Sequence, residues 1–167
     1  MHSLFHDYIN PKITILLFFG VTILAVPVFA QKKFAYQVEC VSVETNGSVT
    51  IKIWNSKLGK RYDQEKARKD AVDAILKSGV PGNNGCVLQK PLLVTTESIQ
   101  KFKKIEKAFF AKHGLWSNYT RQATSLNTLP EKIGKKKWKV YQVTIAMDLL
   151  RKYLKEKRII KSLNSGF

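Results

Sequence analysis

The chain has 167 residues, enough for one domain, and carries 29 Lys and Arg against 12 Asp and Glu, a net charge of +17. A field of that sign attracts polyanions and anionic membrane surfaces but says nothing about fold. Only three histidines and two cysteines are present, so candidate metal ligands of these types are few.

Residues 13–30, ITILLFFGVTILAVPVFA, form an apolar run without a charge, preceded by Lys12 and closed by Val28-Phe29-Ala30. A charged flank, an apolar core and small residues at the exit are the parts of a secretory signal. Cleavage after Ala30 leaves Gln31 as the mature N-terminus, dividing the chain into a signal peptide, 1–30, and one basic domain, 31–167. Pro27 breaks a helix near the end of the run, which suits a cleavage region. The alternative is an uncleaved anchor of residues 13–30 holding the same domain at the inner membrane. No cysteine lies at the exit, so a lipid anchor is not expected. Removing the segment takes away one base, Lys12, and one acid, Asp7, and the charge stays +17.

Export sets the expectation of a periplasmic or secreted protein. It makes anionic envelope surfaces, rather than nucleic acid, the accessible polyanions. In that compartment Cys40 and Cys86 form either one disulfide or two buried thiols, and spacing alone does not decide between them.

Along the domain, Phe34, Tyr36, Val38 and Cys40 alternate with polar residues, Asn46-Gly47 marks a turn, and Val49, Ile51 and Ile53 alternate in return: a β-hairpin. Asp63 is placed to cap a helix with Glu65 in its first turn. Ala67, Ala71, Val72, Ile75 and Leu76 recur at helical spacing, and Gly79 and Pro81 stop it. A loop follows, containing Gly79, Gly82 and Gly85. A second helix starts at Thr95 or Thr96, carries a stripe of Ile99, Phe102, Ile105, Phe109 and Phe110, and ends by Gly114. Residues 115–125, with Trp116 and Tyr119, suggest an irregular strand, and 129–137 a basic loop. Residues 138–147, WKVYQVTIAM, are the clearest strand, with Tyr141, Val143 and Ile145 on one face. Asp148 caps a last helix with Leu149, Leu150, Tyr153 and Leu154, before a frayed tail from Ile159. The order is β-β-α-α-β-β-α, an α+β fold with an antiparallel sheet of about four strands covered on one face by helices.

The strand, EKARKDAVDAILKSGV, FKKIEKAFF and the closing WKVYQVTIAMDLLRKYL resemble the exported domain of flagellar-assembly-T-type proteins and related small lipoproteins. The alanine-spaced helix (Ala67, Ala71, Ala74) and the strand running into Leu150-x-x-x-Leu154 carry that resemblance, over residues 49–154. The chain is also similar to short uncharacterised secreted proteins of Gram-negative bacteria. Neither resemblance implies a catalytic residue or a cofactor.

Chemistry-bearing residues are sparse. His113, the one histidine after residue 30, sits at a helix end, where it suits the terminal carbonyls better than a metal or a general base. The glycines at 79, 82 and 85 follow a helix rather than a strand, so they do not make a dinucleotide loop. Asp70 and Asp73, at i and i+3 among Lys66, Lys69 and Lys77, suggest solvated ion pairs. The basic stretches remain. Lys135, Lys136, Lys137 and Lys139 flank Trp138; Lys101, Lys103, Lys104 and Lys107 line the second helix; Arg151, Lys152, Lys155, Lys157 and Arg158 follow the third. Lysine beside tryptophan suits polyanions or a membrane interface. The expectation is a non-enzymatic envelope protein acting by binding or assembly, with an envelope protein or an anionic envelope surface as its partner.

Overall fold

A computed structural model describes residues 34–83, 86–122, 130–133 and 136–161. Residues 1–30, read from the sequence as a signal peptide, lie outside them, as do Gln31, Gly85 and Lys135. Phe34–Phe167 make up one compact unit.

The chain is α+β. Strands β1 (Tyr36–Val43) and β2 (Ser48–Asn55) pair antiparallel. Gly47 closes their turn at φ 75°, and Ser48 N–H donates to the Asn46 side chain at 2.9 Å. The backbone pair Glu44–Ser48 leaves a three-residue loop with glycine in the left-handed position, a standard hairpin solution. A Cβ on Gly47 would also meet the Asp148 side chain, which would have to turn aside.

Helix α1 (Gln64–Asp73) begins where the sequence predicts. The Asp63 carboxylate accepts from Lys66 N–H at 2.9 Å, and Ala67, Ala71 and Val72 are buried. It widens into one π-helical turn, Ala74–Ser78, and stops at Gly79, φ 74°. Helix α2 (Thr96–Phe109) is started by a reciprocal cap between Thr95 and Ser98. Helix α3 (Met147–Glu156) closes the fold.

The strands run in spatial order β1-β2-β5-β3, with β3 Thr120–Gln122 and β5 Lys136–Ala146. β5 is flanked by β2 on one edge and β3 on the other. Strand β4 (Pro130–Ile133) pairs with its first residues. Val49, Ile51, Ile53, Tyr141, Val143 and Ile145 point from the sheet into the helices, where they meet Ala71, Ile75, Leu76, Phe102, Leu150 and Leu154. On the reverse face the hydroxyls of Thr50 and Thr144 share a hydrogen bond of 2.8 Å across the strands.

Several local expectations are corrected. Residues 115–119 are a 3₁₀ turn rather than the start of a strand. Trp116 is buried, its indole N–H donates to the Ala111 carbonyl at 2.9 Å, and the cations of Arg68 and Lys69 lie over its ring. One large ring anchors a turn there, without alternation. The basic stretch 129–137 is not a loop throughout: it contains β4 and the start of β5, because backbone pairing is indifferent to a lysine-rich sequence. Asp148 does not cap α3. β5 runs into the helix through Ala146, which makes no side-chain cap, and Asp148 pairs with Arg151 from the first turn. Ile99 and Leu149, expected on apolar faces, are exposed. Ile159, expected in a frayed tail, is buried in the core.

Cys40 and Cys86 lie with their sulfur atoms 2.15 Å apart and Cα atoms 6.1 Å apart, a disulfide joining β1 to the loop after α1. That loop is pinned to itself by the pair Val80–Gln89, which exchanges two backbone hydrogen bonds of 2.8 and 3.0 Å.

Candidate functional site

Of the ion pairs suggested for Asp70 and Asp73, the one between Asp73 and Lys77 forms, half-buried rather than fully solvated, while Asp70 is partnered from the sheet. α1 turns both toward the sheet, where Tyr36 O–H donates to Asp73 at 2.7 Å and Asn55 Nδ2 approaches Asp70 at 3.4 Å. Burial raises the Asp70 carboxyl above the usual range, against the opposing pull of Asn55. Burial, then the Asp73 charge, pushes the Tyr36 hydroxyl far upward, and burial with the Asp70 charge does the same to Tyr62. Burial alone would lower the Lys77 ammonium, but its ion pairs with Asp73 and Glu106 outweigh that and hold it above its ordinary value. The cluster fastens α1 to the first hairpin and to α2. Neither carboxylate lines the three cavities described among these residues.

Of the residues singled out around Trp138, Lys135 and the side chains of Lys136 and Lys137 lie outside the described residues. Trp138 and Lys139 are half-buried. The Cys40–Cys86 bond occupies both thiols. Among the described residues no group of His, Cys, Asp and Glu is placed to hold a metal, and no helix is long and apolar enough to cross a membrane.

Instead the structure brings together the cations of α2 and of the α3 terminus. Two adjoining cavities, of about 830 and 510 Å³, run along the seam between these helices and share Lys101, Arg158 and Ile159. The larger is floored by Ile105, Ala108, Phe109, Leu115, Tyr153 and Ile159, and the smaller by Leu92, Val94, Ile159 and Ile160. Around them stand Lys101, Lys104, Lys155, Lys157, Arg158 and Lys161, against one acid, Glu97, which is paired with Lys101 at 2.7 Å. Lys104, Lys155, Lys157 and the Arg158 guanidinium form no ion pair among the described residues.

No protein family, curated protein or solved structure matches the chain.

Two features build the groove. On α2, Lys101, Lys104, Ile105 and Ala108 fall at spacings of one helical turn, so cations and floor share a face. At the end of α3, Arg158 N–H donates to the Lys155 carbonyl at 2.8 Å and Ile159 N–H to the Leu154 carbonyl at 2.9 Å. These are the two bonds of a Schellman ending, completed by Ile159 and Leu154 packed in the core. The ending aims the Arg158 carbonyl at α2, where Lys101 Nζ donates to it at 3.0 Å and fixes the width of the groove.

The position after such an ending ordinarily takes glycine, yet Arg158 occupies it at φ 53°. Among the described residues only one other non-glycine has positive φ, His113 at 59°, in the turn after α2. Both line the larger cavity. Strained backbone gathers where a fold presents side chains for a purpose. His113 thus lies in the turn beyond α2, four residues past Phe109, rather than at the helix end itself, with its backbone strained and its ring facing a groove. Sequence reasoning names most of these cations and misses their convergence. The available signal is Ile159-Ile160 directly after a basic helix end, which marks a chain turning back onto apolar surface.

Proposed function

We propose that the chain is an exported, non-catalytic binding protein that engages anionic material of the cell envelope through the groove between α2 and α3. The observation that carries this is the convergence of six Lys and Arg side chains and one Glu on a single apolar-floored groove. The non-catalytic part rests on the sequence: one histidine follows residue 30, and the only two cysteines are bonded to each other. Unpaired cations beside low-dielectric walls focus the field of a +17 chain on one surface. Export argues for envelope polyanions over nucleic acid.

Heparin affinity tests this. The protein is expected to stay bound at physiological ionic strength, about 0.15 M, and to elute as screening increases. Lys101→Glu with Lys104→Glu is expected to bring elution below that point. A wild-type protein eluting well below about 0.15 M salt would overturn the reading. An envelope protein as partner is the second reading, favoured by the exposed Val87, Leu88 and Val94 beside the disulfide-held loop.

A further inference from the structure

We infer that the α2–α3 groove binds an anionic phospholipid at a bilayer surface, with one acyl chain on its apolar floor and the headgroup phosphate among the cations of its rim. This rests on the envelope-binding reading above and names the ligand class for the same groove. A polyanion without apolar parts would use the rim alone and leave the accessible apolar side chains of Ile105 and Leu115 against water. An uncharged lipid would leave Lys104, Lys157 and Arg158 without a partner. Only a ligand that is both anionic and apolar matches both halves. The larger cavity, about 830 Å³, is within the usual size for small-molecule sites of roughly 300–1,000 Å³. Leu115, 45% exposed at the margin of the groove, and the half-buried Tyr153 supply the mixed apolar and aromatic edge that settles at a membrane interface. The adjoining smaller cavity extends the apolar floor past the Lys101–Arg158 contact, to Ile160 and Leu92.

The test uses the exported protein, purified from the periplasm with its N-terminus read by mass spectrometry, and co-sedimentation with vesicles of phosphatidylglycerol or phosphatidylcholine. Two variants alter the floor without altering charge: Ala108→Trp, which fills the groove from an exposed helix position, and Leu115→Gln, which keeps the size of an exposed side chain. The wild type is expected to prefer phosphatidylglycerol. Each variant is expected to bind those vesicles roughly tenfold more weakly while eluting from heparin unchanged. Should Ala108→Trp fail to fold, Leu115→Gln decides. Equal binding of both vesicle types, or undiminished vesicle binding by the folded variants, overturns the inference. Heparin binding without vesicle binding overturns it while leaving the envelope-binding reading intact, and loss of both overturns the two together.

Discussion

Replacing Arg158 by glycine is expected to stabilise the protein and weaken its binding at the same time. Arg158 holds φ 53°, where a residue with a Cβ is disfavoured by about 1–2 kcal/mol relative to its usual conformation. Glycine removes that strain but loses about 0.5–1 kcal/mol more backbone entropy on folding. The two bonds of the ending, Arg158 N–H to Lys155 and Ile159 N–H to Leu154, are main-chain, as is the Arg158 carbonyl that Lys101 contacts, so all three survive the change. The guanidinium is exposed, and a surface side chain of this kind contributes within about 0.5 kcal/mol. Glycine should therefore gain about 0.5–1 kcal/mol, whereas Arg158→Ala keeps the strain and should stay within about 0.5 kcal/mol of the wild type. In urea, with a slope of about 2 kcal/mol/M, the glycine variant's midpoint rises by roughly 0.3–0.5 M. Both variants should elute from heparin earlier than the wild type. A glycine variant less stable than the alanine variant would refute the strain argument.

Two further outcomes test the frame that holds the groove. Removing the disulfide with Cys40→Ala and Cys86→Ala frees a 46-residue separation, for which chain entropy predicts a loss of about 4 kcal/mol in denaturant titration; an unchanged midpoint would contradict it. For Asp70, burial raises the folded-state pKa above its ordinary value. As pH rises from about 4 toward 7 the unfolded chain therefore releases this proton first, and the group's contribution to stability falls. Asp70→Asn should gain on the wild type across that interval, and a stability difference that stays constant or shrinks would show that the carboxylate is solvated after all.

The α1 helix and the first hairpin were legible because each residue there obeys one period: Ala67, Ala71 and Val72 at helical spacing behind the Asp63 cap, Val49, Ile51 and Ile53 at a spacing of two. The buried face of β5 was legible for the same reason. The elements that escaped are those whose order comes from elsewhere in the chain. β4 pairs through its backbone with the start of β5, and nothing in Pro-Glu-Lys-Ile announces a strand. The turn at 115–119 depends on Trp116 reaching the Ala111 carbonyl and on Arg68, 48 positions earlier in sequence, lying over its ring. For Asp70 and Asp73 the helix face crowded with lysines points to the Lys77 pair of Asp73 but not to the sheet partners, Tyr36 and Asn55, which half-bury both carboxylates. The groove is the extreme case. Its cations are visible one by one, but the seam between α2 and α3 is set by the Schellman ending and by Ile159 entering the core.

The strand that sits between β2 and β3 is the last of the sheet to be synthesised. While residues 36–122 leave the ribosome, β2 and β3 have nothing between them, and the contacts that join them wait for residues 136–146. Pairings this distant in sequence form slowly, because loop closure precedes any gain from contact. On the export reading proposed above, that order matters: the β2–β5–β3 part of the sheet cannot close until residues 136–146 are available. The Cys40–Cys86 bond joins β1 to the loop after α1 and needs neither β3 nor β5, whereas the α2–α3 groove is complete only once the last helix and its ending are in place.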